Sequence, residues 1–294
     1  MSLRELLAGD RLIVAPGVYD GLSARIAAAA GFDALYVSGG AIARSMGYPD
    51  IGLVTLSEMV KRIEEIRDVT GALPLVADAD TGYGNALGVQ RTVRSYARLG
   101  VAALHLEDQV APKRCGHYAN KEIVSEAEMV GKIRAAVDAR GADGPLIIAR
   151  TDARAVVDLD EALRRARSYA VAGADVLFVE APQSEAEITR IARELDIPLL
   201  INMFAGGRTP QVPPERLEAL GYRLMIVPSD LQRAAIHAMQ EAAGELRRSG
   251  TTAAVRERLV SFAERERVVG KDETDRLQRL YLDPERIAGE EASR

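Results

Sequence analysis

Eight short apolar runs, each followed by a longer stretch with helical spacing, constrain this chain more than any other feature. The runs are LIVAP (12–16), ALYVS (34–38), PLVAD (74–78), AALHLED (102–108), PLIIAR (145–150), DVLFVE (175–180), IPLLIN (197–202) and RLMIVP (223–228). Each has the length of one buried strand and is apolar almost throughout, the pattern of a parallel strand covered on both faces. Stretches between them, such as LSEMVKRIEEIRDVTG (56–71) and LDEALRRARSYAVAGA (159–174), have helical character. Gly71, Gly100 and Gly173 stand where helix C-termini are expected, Asp160 and Ser184 where N-caps are expected. Eight strand–helix units in succession predict an α/β fold, a (β/α)8 TIM barrel. The first strand–helix turn has no G-x-G-x-x-G, so an open dinucleotide-binding sheet is rejected.

No Pro-, Gly- or Ser-rich linker divides the 294 residues, which predicts one barrel domain over 1–294. Further helical stretches follow the eighth run, at roughly 230–248, 252–268 and 272–282. They exceed what a barrel needs, so some are expected to pack on another subunit. The last residues, RIAGEEASR (286–294), read as a flexible tail. A net charge of −5 argues against a nucleic-acid partner. No run approaches the roughly 18 apolar residues of a membrane span, and the acidic residues in MSLRELLAGDRL do not suit a signal peptide. One cysteine cannot form an internal disulfide, which suits a reducing cytoplasm.

In such a barrel the chemistry sits at the C-terminal ends of the strands. Those ends carry Ser38-Gly39-Gly40, Asp78-Ala79-Asp80, His105, Glu107 and Asp108, Arg150 and Asp152, Glu180, and Asn202. Asp78 and Asp80 have the two-residue spacing that lets both carboxylates face the barrel axis. Two like charges held that close need a cation or proton between them, and Mg²⁺, a hard ion with oxygen ligands, is the natural choice. A zinc site would want more than three His and one Cys. Glu107, an acid in an apolar strand, needs a partner, for which the metal shell is the simplest; His105 is either part of the site or a satisfied core histidine. The fork of Arg150 suits a substrate carboxylate, with a salt bridge to Glu107 or Glu180 as the alternative. Ser38–Gly40 offers backbone N–H groups to an oxyanion, or is a plain tight turn. Asp108 and Asp152 could each simply cap a helix.

Residues 109–125, QVAPKRCGHYANKEIVS, are long for a strand–helix loop and read as a moving lid. The sole thiol, Cys115, lies there among Lys113, Arg114 and His117, with Gly116 as a hinge. Cations favour thiolate, so the segment reads as a catalytic thiol.

The segments YVSGG (36–40), PDIG (49–52), DADTGYG (78–84), HLEDQ (105–109), PKRCGH (112–117), ARTDA (149–153) and Asn202 resemble the isocitrate lyase/phosphoenolpyruvate mutase superfamily along almost the whole chain. The cysteine motif and the length are similar to its short methylisocitrate lyase and 2,3-dimethylmalate lyase type. That resemblance implies an oxo-acid lyase using Mg²⁺, for which Mn²⁺ can substitute, held directly or through water by Asp78 and Asp80 with Asp50 and Glu107 nearby. It implies that Arg150 and Ser38, Gly39 and Gly40 hold one end of a hydroxy-acid substrate, with Glu180, Asn202, Cys115, Gly116 and His117 also around it. Cys115 would protonate the departing carbon, His117 and Lys113 would tune the thiol, and Tyr36 would donate near the oxyanion or pack in the core. A homotetramer, a dimer of helix-swapped dimers, is implied as well. Phosphonomutase and oxaloacetate-cleaving relatives are the alternatives. The chain departs from the family's pattern at Phe204-Ala205, where a Glu is common, and that bears on substrate identity.

Overall fold

The structure, a computed structural model, describes residues 1–116 and 120–282. Its strands are β1 (Ile13–Val18), β2 (Leu35–Val37), β3 (Leu75–Asp78), β4 (Ala103–Glu107), β5 (Leu146–Thr151), β6 (Val176–Val179), β7 (Leu199–Asn202) and β8 (Tyr222–Val227). Each falls on one of the eight apolar runs. They pair in parallel in chain order, and β8 returns to β1, closing the barrel. The helices are α1 (Leu3–Leu7), α2 (Gly21–Ala29), α3 (Gly39–Ser45), α4 (Leu56–Thr70), α5 (Ala86–Arg98), α6 (Glu126–Arg140), α7 (Ala153–Val156), α8 (Leu159–Val171), α9 (Glu185–Glu194), α10 (Pro214–Leu220), α11 (Asp230–Ser249), α12 (Phe262–Val268) and α13 (Lys271–Leu282).

Two apolar layers hold this frame. Outward strand residues such as Val37, Ala77, Leu104, Ile147 and Leu177 pack on the helices. Inward residues, among them Tyr36, Val76, Ala103, Ile148, Phe178 and Leu200, fill the barrel, and Leu3 and Leu7 of α1 join this inner cluster. Burying one such side chain is worth about 1.5–3 kcal/mol.

Ser184 caps α9 by accepting from the Glu187 N–H, as its position predicts. The cap of α8 is Asp158, not Asp160: Asp158 accepts from the Glu161 N–H, which leaves Asp160 in the first turn. Gly71, Gly100 and Gly173 all have positive φ just past helix ends, where glycine alone pays no Cβ penalty.

The chain divides into two compact units, Met1–Arg233 and Ala234 onward. The second continues α11 and adds a 3-10 helix, Ala253–Arg258, then α12 and α13. The helix expected over 252–268 is therefore broken, because Ser261 starts a new one by accepting from the Glu264 N–H. The tail expected at 286–294 lies outside the described residues. Among the described residues no helix is long and apolar enough to cross a membrane.

Candidate active site

The inner face changes character along each strand. Val76 gives way to Asp78, Ala103 to His105 and Glu107, Ile148 to Arg150, and Leu200 to Asn202, all buried. Phe178 likewise leads to Glu180, just past β6. Residues two apart share a strand face, so the barrel is apolar below and charged at its C-terminal mouth. The register pairs Asp78 with His105 and Glu107 with Arg150 on neighbouring strands.

Asp78 is held on several sides. Its Oδ2 accepts from the Gly39 N–H at 3.2 Å and from the Tyr36 hydroxyl at 3.3 Å. Its Oδ1 accepts from the Asp80 N–H at 3.0 Å. Burial pushes its carboxyl up, but His105, then Lys113, the Asp80 amide and Arg150 outweigh this and keep it below the usual range. Burial pulls the His105 imidazole down against the opposing pull of Asp78, and its close contact is the Tyr36 hydroxyl at 2.8 Å.

Asp80 reaches the site differently from the period-two expectation. It lies beyond the end of β3 with φ 45°, a left-handed conformation uncommon outside glycine. Burial, with help from Asp78 and Asp50, pushes its carboxyl up to about 6 against the opposing pull of Lys113. The Lys113 ammonium sits between acids, 2.5 Å from Asp50 Oδ1 and 2.9 Å from Asp80 Oδ1. Although burial lowers its pKa, those carboxylates raise it well above the ordinary value. Asp50 also packs against Gly40, where a Cβ would lie 2.7 Å from Oδ2.

Arg150 meets three carboxylates. It forks onto Asp152 through Nε at 2.9 Å and Nη2 at 3.1 Å, lies 3.0 Å from Glu107 and 3.8 Å from Glu180. The salt-bridge alternative for Arg150 is thus present in the structure. Its guanidinium also stacks 5.3 Å over the Phe178 ring. Burial raises the Glu107 carboxyl well above its ordinary value, with Arg150 opposing. Asn202 donates to Glu180 Oε1 at 3.4 Å.

The lid residues that the structure describes lie on this mouth. The Cys115 N–H donates to the Asp50 carbonyl at 3.1 Å. Gly116 is so close to Arg150 that a Cβ there would fall 2.5 Å from Nη2 and 2.7 Å from Glu180 Oε1. His117 lies outside the described residues.

The structure therefore gathers Tyr36, Gly39, Gly40, Asp50, Asp78, Asp80, Glu107, Lys113, Cys115, Gly116, Arg150, Glu180 and Asn202 at one mouth. Two expectations change. The Gly39 amide is engaged by Asp78 rather than open to a substrate, and Ser38 caps α3 by accepting from the Ala41 N–H. Asp152 makes no helix-cap hydrogen bond; its carboxylate serves Arg150 and Lys121. Asp108 lies beneath it, accepting from the Asp152 N–H, Thr151, Tyr169 and Arg165. In the sequence Lys121 reads as one more charge of the 109–125 loop, with no local signal of its partner Asp152.

A divalent ion fits these residues. Among the described residues Glu107 Oε1 is buried without a hydrogen bond, while Asp80 Oδ1 and Glu107 Oε2 are buried with only an ion-pair contact, to Lys113 at 2.9 Å and to Arg150 at 3.0 Å. These are hard oxygen donors, suited to Mg²⁺. No group of three or more His, Cys, Asp or Glu among the described residues is arranged to hold an ion by itself, so an ion here would keep water ligands.

The phosphoenolpyruvate phosphomutase family matches residues 3–247. The chain is 45% identical to 2,3-dimethylmalate lyase of Eubacterium barkeri over 281 residues, 95% of this chain and 97% of that protein. It is 43% identical to 2-methylisocitrate lyase of Aeropyrum pernix, covering 90% of this chain and 85% of that one. A crystal structure of 2,3-dimethylmalate lyase superposes with a TM-score of 0.89 at 42% identity, over 94% of this chain and 92% of that one. Phosphonopyruvate hydrolase, solved with oxalate and Mg²⁺, superposes with a TM-score of 0.86 at 30% identity, over 96% and 100% of the two chains. With its closed barrel and the charged mouth under the cysteine loop, the chain belongs to the isocitrate lyase/phosphoenolpyruvate mutase superfamily.

Proposed function

We propose that this chain is a Mg²⁺-dependent carbon–carbon lyase. It cleaves a 2-hydroxy di- or tricarboxylic acid of the 2,3-dimethylmalate or 2-methylisocitrate kind into pyruvate, or a related 2-oxo acid, and a carboxylate. The observation that carries this reading is the seat of Cys115 and Gly116, the one tied to Asp50 and the other laid against Arg150. It supports the reading by bringing the backbone of the chain's only cysteine to Asp50, one of the acids that suit a metal, with its neighbour Gly116 against the arginine that suits a carboxylate.

Asp78, Asp80, Asp50 and Glu107 would hold the ion, directly or through water. Bound there, Mg²⁺ supplies Lewis-acid charge that lowers the proton affinity of the substrate hydroxyl and favours the developing oxyanion. Arg150, its orientation fixed by Asp152, binds the carboxylate next to that hydroxyl. The remaining Ser38–Gly40 backbone donors line the same end, and Glu180 and Asn202 border the far end. The hydroxyl gives its proton to the acid cluster, and its carbon becomes the ketone. The bonding pair of the broken C–C bond stays on the other fragment, and the Cys115 thiol delivers a proton to that carbon. Lys113 and His117 set the thiol's charge environment, Tyr36 donates toward the oxyanion, and the lid over 109–125 excludes water.

The segment after Asp230 exposes Met239, Leu246, Phe262 and Tyr281 on its helices and Leu259 and Val260 between them. Their apolar surface supports a homotetramer of helix-exchanged dimers, in which light scattering would read four times 31.7 kDa.

The test of function is direct. The purified chain is given Mg²⁺ with 2,3-dimethylmalate, 2-methylisocitrate or phosphonopyruvate, and pyruvate formation and phosphorus NMR are followed. The lyase reading expects pyruvate from a hydroxy acid and no conversion of the phosphonate carbon–phosphorus bond. The reverse pattern would make the chain a phosphonomutase, the activity for which its matched family is named.

A further inference from the structure

Lys121 is a buried lysine in a segment that a loop of this length would ordinarily leave in water. Its ammonium, 2% exposed as a side chain, lies 2.5 Å from Asp152 Oδ1 and donates to the Gly116 carbonyl at 2.5 Å. The Asp152 carboxylate is itself fully buried and also receives both arms of Arg150. A buried charge is tolerated only when it is paired and hydrogen-bonded. Lys121 has both partners because the loop carries the Gly116 carbonyl to the Asp152 carboxylate. Gly116 has no side chain to hold it off: any Cβ would collide with Arg150 and Glu180.

We propose that Lys121 is a positioning residue that clamps the cysteine arm of the lid to the carboxylate-binding arginine. The clamp runs from the Gly116 carbonyl through the ammonium to Asp152, and from Asp152 to Arg150. It rests on the lyase reading for the meaning of Cys115, one residue before Gly116. Through it the thiol is placed only when the guanidinium that grips the substrate is itself in place. Lys121 touches no reacting atom. Its removal leaves Asp152 on Arg150, so ground-state binding of a small dicarboxylate survives while delivery of the thiol's proton fails. Removing the Asp152 charge instead disturbs both ends of the clamp.

The experiment uses the full chain with Mg²⁺ and compares wild type with Lys121→Met, Lys121→Ala and Asp152→Asn. Turnover of 2,3-dimethylmalate, the Kd of oxalate by calorimetry, and hydrogen exchange of the 109–116 amides with oxalate bound are read on each. Both Lys121 variants are expected to lose about 10- to 100-fold in kcat, because misplacing a catalytic group by about 1 Å can cost about that much. Their KM and oxalate Kd are expected to stay within about threefold of wild type, since one ion-pair partner of a bound carboxylate is retained. Ligand-dependent protection of 109–116 should be lost in both. Propylammonium, which restores the missing stem and charge, should recover part of kcat in Lys121→Ala, and propanol should not. Asp152→Asn should weaken oxalate binding as well. Wild-type turnover and lid protection retained in both Lys121 variants would overturn the clamp, as would a rise in KM and oxalate Kd with kcat unchanged. Failure of wild type on every hydroxy acid would instead strike the lyase reading, and the exchange and oxalate measurements would still decide the clamp.

Discussion

Gly39→Ala is a one-carbon perturbation aimed at the acid cluster without removing any acid. Gly39 opens α3 and its φ is not in the left-handed region, so the backbone accepts alanine. Alanine is worth about 0.5–1 kcal/mol over glycine inside a helix, so local propensity should not weaken the fold. The added Cβ, however, would lie 2.7 Å from Asp78 Oδ2 and 2.9 Å from its Cγ. Asp78 is a short side chain pinned by Tyr36 and the Asp80 amide, so it cannot swing clear cheaply. It must retreat by about 0.5–1 Å to reach ordinary contact distance, and the Gly39 N–H bond to it is lost or stretched. A hydrogen bond to a charged group is worth about 1.5–3 kcal/mol, or about 10- to 150-fold in an equilibrium constant. Mg²⁺ affinity by calorimetry should therefore fall about 10- to 100-fold, and turnover at saturating Mg²⁺ by about 10²-fold. Gly131→Ala, inside α6 with nothing within 4 Å of the new Cβ, is the control. It should leave activity unchanged and raise Tm by about 1–3 °C. A Gly39→Ala protein with wild-type Mg²⁺ affinity and turnover would refute the packing of Asp78 on that turn.

Two further outcomes are expected. Lys113→Met removes the ammonium now shared by Asp50 and Asp80. The metal-free protein should lose Tm, while added Mg²⁺ should raise Tm more than in wild type and bind about tenfold more tightly, there being no competing cation; equal or weaker binding would contradict this placement of Lys113. Hydrogen bonds from Arg164 and Arg165 hold the Glu161 carboxyl down at about 2, from an ordinary value of 4.5. A depressed folded-state pKa gives stability that is present above the unfolded value and lost as pH falls toward the folded one. The Tm gap between wild type and Glu161→Gln should thus be widest near pH 6 and shrink toward pH 3, and a constant gap would contradict the assignment.

The barrel was legible because parallel strands buried on both faces write themselves as unbroken apolar runs, and all eight fall within a residue or two of their expected ends. The mouth was legible for a related reason. A charge such as Glu107 or Arg150 at the end of such a run has no solvent to satisfy it and must meet a partner. What escaped were contacts set by backbone turns and by distant loops. Asp80 enters through a left-handed φ rather than through strand alternation, and the Gly39 amide turns to Asp78. Lys121 and Asp152 stand 31 positions apart, and no local spacing announces their pairing. The break near Ser261 carried a signal that the apolar pattern hid: Ser261 and Glu264 have the spacing of a helix start.

The central claim is that the Cys115 thiol protonates the carbon released by cleavage. Its most direct measurement is the turnover of Cys115→Ser on the hydroxy acid that wild type cleaves, alongside the binding of pyruvate to both proteins. A positioned acid is worth about 10²–10⁴-fold, so turnover should fall by at least 10²-fold while pyruvate binds as before. A serine variant that cleaves the acid at close to the wild-type rate would contradict the account.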